Sequence, residues 1–433
     1  MTKKVLIISY YWPPSGGSGV QRWLKFVKYL PSFGLEPIVL TVDEKMASYP
    51  QMDKSLLEDV NPNTRVEKTK TFEILNFYKK ISPDKEIPYG GFTDKQKPSF
   101  FDKISRFIRG NFFLPDPRRG WNNYAFKKAC EIIEKEKIDN IITTSPPHST
   151  QLIGLKLKQK YPSLVWTADL RDPWTDIHYY KKLYPTFIAD AINKRYERKV
   201  LETADKIIVT CQATKEVFAK KSNQIQKEKI TVITNGYDKP DFVSVKRNII
   251  PKFTISYIGI LYDTNDLDGF LYALKNIENK ETCCFRFVGH SADVIPPKIE
   301  KYKLTPQTEY IRHKPHAEAI QLMADSSVLV LLVPDKEKES SFLPGKLFEY
   351  LAVQRPILCI APKGHEIAEI IHKCEAGKTF DYNDKEGMLD FLTEKQAEWA
   401  ANGICQTTKL NYTEYSREEL TKRLVVFFRK IIY

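Results

Sequence analysis

The chain has 433 residues, with 42% apolar and 12% aromatic side chains and a net charge of +13. This length predicts two domains with separate hydrophobic cores, and the composition is that of a globular protein. The longest apolar run after the N-terminus, residues 328–333, excludes a membrane-spanning chain because a bilayer requires about 20 such residues.

The positive charge is concentrated in one part of the chain. Residues 65–135 contain 16 Lys and Arg against 9 Asp and Glu, a net charge of +7 that exceeds half of the total excess. Such a local concentration predicts an anionic partner at one surface of the protein.

The cysteines and the N-terminus predict a cellular location. The seven cysteines form no C-x-x-C pair and no spacing typical of a metal site, so we interpret them as reduced, mostly buried thiols. The N-terminal apolar stretch is too short for a signal peptide. We therefore expect a cytoplasmic protein, soluble or peripheral on the inner face of the cell membrane.

The first predicted elements are a buried strand at residues 5–9 and an amphipathic helix at 20–30. The loop between them, PPSGGSG, carries Gly16, Gly17 and Gly19. A glycine-rich turn from strand to helix brings backbone N–H groups close to a phosphate or a sugar. The alternative is a tight connector without a binding role.

A dinucleotide-binding enzyme is a second alternative for this loop. Its fingerprint requires a glycine where this chain has Arg22, which argues against it. Asp43, however, ends the next predicted strand, where a dehydrogenase places the acid that binds ribose.

A basic and aromatic stretch follows at residues 71–121. Within it, residues 100–113 predict a helix with apolar side chains on one face and Lys103, Arg106 and Arg109 around the other. One reading is a membrane-surface helix that faces anionic lipid. The alternatives are a core-facing helix with a solvated basic side and, less favoured, a nucleic-acid-binding patch.

Two further motifs follow predicted strands in the first half of the chain. A helix at 121–137 and a strand at 140–144 lead into the turn SPPHS, which places His148 where ligands bind in parallel sheets. A lone histidine is otherwise structural or exposed. The next strand ends in DLRDPW, residues 169–174, where Arg171 and Asp172 are hard to explain as core packing; the alternative is mutual pairing of these charges.

The rest of the chain repeats the alternation of strands and helices. A helix at 187–203, a strand at 206–210 and the string VITNGYD at 232–238 close the first half. Strands then start at residues 253, 284, 308, 328 and 356, with helices at about 266–278, 316–324 and 345–353. This pattern predicts α/β architecture with two doubly wound, Rossmann-like parallel sheets. The last predicted helix, 415–432, has the apolar face Leu420, Leu424, Phe427, Phe428 and Ile431.

The segment 341–359 carries the most informative pair of charges. Pro344 and Gly345 form a turn directly before Lys346 and Glu349, which lie at i and i+3 at the start of an apolar helix. Backbone N–H groups and a lysine at a helix N-terminus hold an anion, and a glutamate accepts hydrogen bonds from hydroxyl groups. The alternative is a solvated helical ion pair.

These strings, in this order, resemble retaining glycosyltransferases of the family-4 type, in a subgroup with a P-x-K-L-x-E-Y-L-A helix. The matching strings are PPSGGSG, SPPHS, DLRDPW, VITNGYD, YIG, FVG and PGKLFEYLAVQRPIL. Two departures stand out. The family's first glutamate is replaced by Ser341, with Glu339 two residues too early, and the usual arginine and lysine after the first strand of the second domain are missing after Gly259.

The resemblance implies a GT-B fold, with two Rossmann-like domains facing a cleft. Its domains would be residues 1–238 on the acceptor side, a linker at 239–252, a nucleotide-sugar-binding domain at 253–410, and a helix at 411–433 that crosses back to the first domain. It also implies transfer of a hexosyl or N-acetylhexosaminyl group from a nucleotide-diphosphate sugar, with retention of configuration, to a lipid-linked or saccharide acceptor.

The same resemblance assigns roles to individual residues. Catalysis would involve His148, Asp172 and Lys346, with Arg171 and Asp172 on the acceptor side. The donor-binding residues would be Gly16, Gly17, Gly19, Gly259, His313, Lys314, Gly345, Lys346 and Glu349.

No metal or cofactor is implied by the resemblance, and we expect no nucleic-acid partner. The single D-x-D string, Asp266 to Asp268, falls at a predicted helix start, where acids favour the helix dipole. Two other functions stay open: a nucleotide-sugar epimerase of the same fold, and a non-catalytic surface or nucleic-acid-binding protein.

Overall fold

The protein consists of two compact units, each built around a parallel sheet. The structure, a computed structural model, describes residues 3–73, 99–177, 179–246, 248–261, 265–334, 343–405, 407 and 411–429. Among these, residues 3–234 and 417–429 form the first unit, and residues 235–416 form the second.

The sheet of the first unit has seven parallel strands in the order β3-β2-β1-β4-β5-β6-β7. The strands are Lys3–Ile8 (β1), Leu35–Val42 (β2), Arg65–Thr69 (β3), Asn140–Ser145 (β4), Val165–Leu170 (β5), Lys206–Val209 (β6) and Ile230–Val232 (β7). The helices between them are Ser18–Tyr29 (α1), Phe100–Phe112 (α2), Asn122–Glu136 (α3), Ser149–Lys160 (α4), Phe187–Thr203 (α5) and Gln212–Ala219 (α6).

The sheet of the second unit has six parallel strands in the order β10-β9-β8-β11-β12-β13. The strands are Phe253–Ile258 (β8), Cys283–Val288 (β9), Thr308–Ile311 (β10), Val328–Leu332 (β11), Ile357–Ile360 (β12) and Gly377–Phe380 (β13). The helices are Asp268–Asn276 (α7), Ser291–Val294 (α8), Pro296–Lys301 (α9), His316–Ala324 (α10), Lys346–Val353 (α11), Glu366–Lys373 (α12) and Lys385–Asn402 (α13).

These two sheets confirm the predicted α/β class. In each sheet, successive strands are added on one side of the first strand and then on its other side. This switch point lies between β1 and β4 in the first sheet, and between β8 and β11 in the second. The crevice outside the carboxyl ends of two such strands is where ligands bind in doubly wound folds. The loops after β1 and β4, and those after β8 and β11, are therefore the positions to examine for a site.

The edge strands β3 and β13 were missed by the sequence pattern. Both are only partly buried and carry charged or small residues, so neither shows the continuous apolar run that marks a buried parallel strand. Inner strands such as β8 and β11 are buried throughout and were predicted close to their actual bounds.

The last helix, Arg417–Arg429 (α14), returns to the first unit, as expected. Leu420, Leu424 and Phe428 are buried with Trp23 and Val27 of α1 in one apolar cluster. Lys206 binds the C-terminal end of this helix, since its ammonium group donates a hydrogen bond to the Phe428 carbonyl at 3.1 Å. The predicted contact of Ile431 lies outside the described residues.

Helix α2 forms as predicted, but the core-facing alternative for it is wrong. Its apolar side chains face solvent, with Phe101 76% and Phe107 42% exposed, whereas Arg106 is only 8% exposed. Gly110 packs directly on the Leu183 carbonyl, where an added Cβ would come within 2.4 Å. The helix is therefore attached to the unit through its basic and small residues.

All seven cysteines carry free thiols, and six of them are buried. Burial raises the pKa of Cys359 and of Cys405 to about 12. These thiols therefore pack as small apolar groups, as predicted.

Candidate functional site

Helix α11 starts at the carboxyl edge of the second sheet, after β11. Its apolar residues Leu347, Phe348 and Leu351 are buried, and its Tyr350 hydroxyl lies within hydrogen-bonding distance of the Ile258 amide at 3.4 Å. Burial raises the pKa of Tyr350, so this hydroxyl stays protonated. These contacts hold the first turn of α11 against the end of β8.

Lys346 lies over the end of β8. Its Nζ is 4.1 Å from the centroid of the Tyr257 ring and donates to the Ile258 carbonyl at 3.3 Å. The Tyr257 hydroxyl donates to the Ile260 carbonyl at 2.8 Å, which orients the ring. A cation over an aromatic face is stabilised by the ring quadrupole, so the ammonium group is held in place at the switch point of this sheet.

Gly259 provides the space that Lys346 occupies. Its φ is +133°, and an added Cβ would be 3.3 Å from the Lys346 Nζ. Gly289, at the end of β9, has φ +86° and would bring a Cβ within 3.0 Å of the Gly259 carbonyl. Both positions therefore require glycine for backbone conformation and close approach.

Gly345 differs from these two glycines. It has a helical conformation, with φ −57°, and apart from its chain neighbours and its own helix no heavy atom of the described residues lies within 4 Å of the position that a Cβ would take. Among the described residues, a side chain at this position would therefore meet open space, directly before a lysine. The positive end of a helix dipole and an ammonium group together favour an anion at this position.

Glu349 faces a partner that the sequence did not reveal. Its Oε1 lies 2.9 Å from Nε2 of His316, the first residue of α10. His313 and Lys314 are exposed in the segment between β10 and α10, and Lys314 pairs with Glu318 at 3.0 Å. The structure therefore brings Gly259, Lys346 and Glu349 together around the start of α11, with His316 added to the set.

The glycine-rich loop of the first unit lies after β1, as predicted. Gly17 caps α1 with φ +97°, and the Gly16 amide donates to the Gln51 carbonyl at 3.0 Å. Gly19 is required by a close contact, because an added Cβ would be 2.6 Å from Nη1 of Arg171.

Arg171 uses its guanidinium group to join three loops. Its Nη1 donates to the Gly19 carbonyl at 2.6 Å, its Nε to the Ser145 carbonyl at 3.0 Å, and its Nη2 to the Pro146 carbonyl at 2.8 Å. Burial lowers the pKa of this side chain, partly offset by Asp172 and Asp169. Contact of Arg171 with an acceptor stays a prediction, while its visible contacts hold the loops after β1 and β4.

His148 is half-buried at the start of α4, and both of its ring nitrogens are buried. Its ring stacks on Trp174 at a centroid distance of 4.8 Å and an interplanar angle of 10°. Neither ring nitrogen has a hydrogen-bond partner among the residues that the structure describes. Burial lowers the pKa of His148 to about 3, with a smaller contribution from the charge of Arg171. The imidazole is therefore neutral near pH 7.

Asp116 positions the same turn. It accepts hydrogen bonds from the Ser149 amide at 2.7 Å and from the Ser149 hydroxyl at 2.9 Å. Asp172, predicted beside His148, is half-buried next to Arg171. The two buried nitrogens of His148 thus belong to a rigid turn at the switch point of the first sheet.

A buried ion pair between α1 and β5 supports the loops at this edge of the first sheet. Arg22 Nη2 lies 3.1 Å from Asp169 Oδ1, and both side chains are fully buried. Asp169 also accepts from Trp23 Nε1 at 2.7 Å, while Arg22 donates to the carbonyls of Ile233 and Thr234 at 2.9 and 2.8 Å. Arg22, which departs from the dinucleotide fingerprint, is therefore a structural residue, and Asp169 is its partner.

Two predictions concern metals and membranes. In the described ranges, no three His, Cys, Asp or Glu side chains come together as metal ligands would. Asp266 accepts from the Asp268 amide at 3.0 Å, and Asp268 is the first residue of α7, so this acidic string lies at a helix start, as predicted. None of the helices among the described residues combines the length and apolar character needed to cross a bilayer.

Ser341 and Glu339, the two candidates for the family's first glutamate, lie outside the described residues. Their roles therefore stay predictions.

Comparison with known proteins supports the same fold. Residues 90–239 match the profile of Glycosyltransferase Family 4, whereas a search of curated proteins found no match. Among solved structures, sucrose-phosphate synthase from Thermosynechococcus elongatus is 14% identical with a TM-score of 0.61, and 99% of each chain is covered.

Two further structures are similar over nearly their whole length. HepE from Anabaena, solved in complex with UDP-glucose, is 13% identical with a TM-score of 0.61, covering 99% of this chain and 100% of that one. WaaG, a glycosyltransferase involved in lipopolysaccharide biosynthesis, is 13% identical with a TM-score of 0.53, covering 97% and 99%. The chain therefore has the two-unit α/β fold of GT-B glycosyltransferases, and residues 90–239 carry a Glycosyltransferase Family 4 match.

Proposed function

We propose that the protein is a glycosyltransferase that moves a sugar from a nucleotide-diphosphate sugar to a hydroxyl acceptor. The observation that carries this proposal is the pair Lys346 and Glu349 in the first turn of α11, beside Gly259 at the switch point of the second sheet. The family match at residues 90–239 supports it. HepE was solved in complex with UDP and with UDP-glucose, which favours a uridine nucleotide as the first donor to test.

In this proposal, different groups in the first turn of α11 bind different parts of the donor. The helix N-terminus beyond Gly345 and the Lys346 ammonium group hold the diphosphate and stabilise the charge that develops as it leaves. Glu349 accepts hydrogen bonds from the ribose hydroxyls. Since the usual basic pair after Gly259 is missing, Lys346 carries more of the phosphate charge than in the commoner pattern.

The finer predictions belong to the same proposal. The transferred group is a hexosyl or N-acetylhexosaminyl unit, the configuration is retained, and no metal or cofactor is required. The acceptor is lipid-linked or a saccharide, and it meets the edge of the first unit near His148 and Asp172. His148 would act there as a neutral hydrogen-bonding group, in accordance with its burial.

A donor screen tests this function. UDP- and GDP-sugars are added to the wild type, Glu349→Ala and Lys346→Ala, and thermal stability is measured with and without each donor. We expect one nucleotide series to stabilise the wild type and to lose roughly tenfold or more in affinity in both variants, because charge-assisted contacts are lost. Lys378→Ala, which removes an exposed lysine of β13 that pairs with Glu394, is the matched control and should bind the donor as the wild type does.

Transfer itself is then measured with the stabilising donor. Release of nucleoside diphosphate should depend on an added hydroxyl acceptor, and the anomeric configuration of the product is read by NMR. Absence of binding by every donor would refute the proposal. Interconversion of the sugar without an acceptor would point to an epimerase instead.

We further propose that α2 places the protein on an anionic membrane surface. The helix exposes Phe101 and Phe107, and the start of α5 adds Phe187, 86% exposed, and Ile188. Asn111 links the two elements, since its side chain donates to the Tyr184 carbonyl at 3.0 Å and accepts from the Thr186 amide at 2.7 Å. Exposed Lys103 on α2 and exposed Lys181, in the short helical turn before α5, complement anionic head groups.

Vesicle sedimentation tests this surface. The wild type should bind vesicles containing phosphatidylglycerol more tightly than neutral phosphatidylcholine vesicles. The double variant Phe101→Ser, Phe187→Ser should bind about tenfold more weakly or worse, because two aromatic anchors are lost. Val243→Ser, which removes an 84% exposed apolar side chain of the second unit, should bind as the wild type does. Equal binding by the double variant would refute this part of the proposal.

A further inference from the structure

His316 and Glu349 connect two helices that start at the same edge of the second sheet. His316 is the first residue of α10 and Glu349 lies in the first turn of α11, 33 positions further along the chain. The Nε2 to Oε1 distance is 2.9 Å, with side-chain exposures of 39% and 22%. This contact joins α10 to a residue of the proposed donor site on α11.

The chemistry of this contact indicates which atom donates the hydrogen bond and which accepts it. A carboxylate only accepts hydrogen bonds, so Nε2 of His316 carries the proton and donates to Oε1. One carboxylate oxygen is then held, and the orientation of the other, Oε2, is restricted. The glutamate side chain has several rotatable bonds, and a held oxygen reduces the conformational freedom lost when a ligand binds.

The neighbouring charges on the two helices have partners of their own. The nearest acid on α10, Glu318, pairs with Lys314 at 3.0 Å. The nearest cation on α11, Lys346, lies instead over Tyr257 and the end of β8. The two charged residues in the first turn of α11 are thus held by two different elements, Lys346 by β8 and Glu349 by α10.

We infer that His316 is a positioning residue for ribose recognition. It holds the Glu349 carboxylate so that Oε2 faces the two ribose hydroxyls of the donor, and it does not itself touch the nucleotide. This inference rests on the proposed function, because it assigns Glu349 to the ribose. It adds a residue that lies outside the sequence motif, on a different helix.

The test compares nucleotides with and without the ribose hydroxyls. Calorimetry gives the affinities of UDP and 2′,3′-dideoxy-UDP, with the GDP pair in parallel, for the wild type, His316→Ala, His316→Gln and Glu349→Ala. The ratio of the two affinities isolates the contribution of the hydroxyl groups. A purely structural effect of a substitution would change both affinities and leave their ratio constant.

We expect His316→Ala to reduce this ratio roughly three- to tenfold, since one positioning hydrogen bond is lost. His316→Gln should retain much of the ratio, because its amide also donates to a carboxylate, and Glu349→Ala should bring the ratio close to one. Glu318→Ala, an exposed carboxylate on the same helix, should leave the ratio unchanged.

The outcomes separate this inference from the proposed function. If wild type binds UDP or GDP and Glu349→Ala lowers the ratio, but His316→Ala does not, the positioning role is overturned and the donor site stands. A parallel loss of both affinities in His316→Ala also overturns it, since His316 would then act elsewhere on the nucleotide or on the fold. If the wild type binds neither nucleotide, the proposed function fails and the inference fails with it.

Discussion

At the residue scale, glycine occurs at different positions of the two switch points for different physical reasons. Gly19 is needed because the Arg171 guanidinium occupies the space of a side chain, and Gly259 because its φ is +133° and the Lys346 ammonium lies beside it. At Gly345 the backbone is helical, and an added Cβ would meet no described residue beyond its chain neighbours and its own helix. The first two glycines are thus explained by contacts within the protein, whereas none of the described contacts requires a glycine at position 345.

His148 gives a prediction at this scale. Its pKa is about 3 in the folded protein, below the ordinary value of 6.5, so the unfolded chain binds a proton between these values and the folded protein does not. The contribution of His148 to stability is therefore present above pH 6.5 and is lost as the pH falls toward 3. The loss is about 1.4 kcal/mol per pH unit at most.

Urea unfolding at pH 7.5, 6.5 and 5.5 measures this effect. Tryptophan fluorescence follows mainly the first unit, which holds five of the six tryptophans, Trp12, Trp23, Trp121, Trp166 and Trp174, while Trp399 lies in the second unit. The free energy of unfolding of the wild type should fall more steeply below pH 6.5 than that of His148→Gln, whose side chain does not titrate. Parallel curves for the two proteins would contradict the burial of a neutral imidazole.

At the element scale, α14 shows how a distant segment completes a unit. The helix lies almost 200 residues after the last strand of the first sheet, yet its apolar face packs on α1, directly behind the glycine-rich loop. Lys206 at the start of β6 binds its C-terminal carbonyls, where a cation also complements the helix dipole. The helix therefore supports the element that presents the loop after β1.

Substitution in α14 tests this support. Leu424→Ala removes a fully buried side chain and should lower the free energy of unfolding of the first unit by about 2 to 5 kcal/mol. Val426→Ala, on the same helix but 51% exposed, should change it by less than about 0.5 kcal/mol. The same fluorescence measurement serves for both variants. Equal effects would mean that α14 does not pack as described.

At the scale of the whole molecule, the two units repeat one architecture with different loop chemistry. In the first, the switch point has a neutral histidine with buried ring nitrogens and an arginine that binds backbone carbonyls. In the second, it has an ammonium group in the first turn of a helix. This difference predicts that an anionic ligand, added without an acceptor, binds to the second unit and not to the first.

Hydrogen exchange with and without UDP tests that assignment. At a concentration 100 times its Kd, the nucleotide should stabilise the unit that binds it by about 2.7 kcal/mol. Protection should therefore increase at the amides of α11 and of residues 259–261, while the amides of α1 and α4 keep their rates. Increased protection confined to α1 and α4 would show that the nucleotide binds to the first unit, which would contradict this prediction.

The sequence alone determined the α/β class, most inner strands and helices, and the location of the candidate residues at strand ends. It did so because buried strands show continuous apolar runs, amphipathic helices show a period of 3.6 residues, and glycine and proline mark the turns. β8 and α10 were predicted at their actual bounds. The edge strands β3 and β13 were missed because half-buried polar strands lack that signal.

Only the tertiary structure decided which side chains meet. Arg171 contacts Gly19 across 152 positions of the chain, Arg22 contacts Asp169 across 147, and Glu349 meets His316 across 33. No local pattern encodes such pairs, because they depend on how parallel strands bring distant loops to one edge of a sheet. For the same reason, the sequence pointed to Lys346 and Glu349 of α11 as candidate site residues, whereas the groups that hold them, Tyr257 and His316, were not predicted.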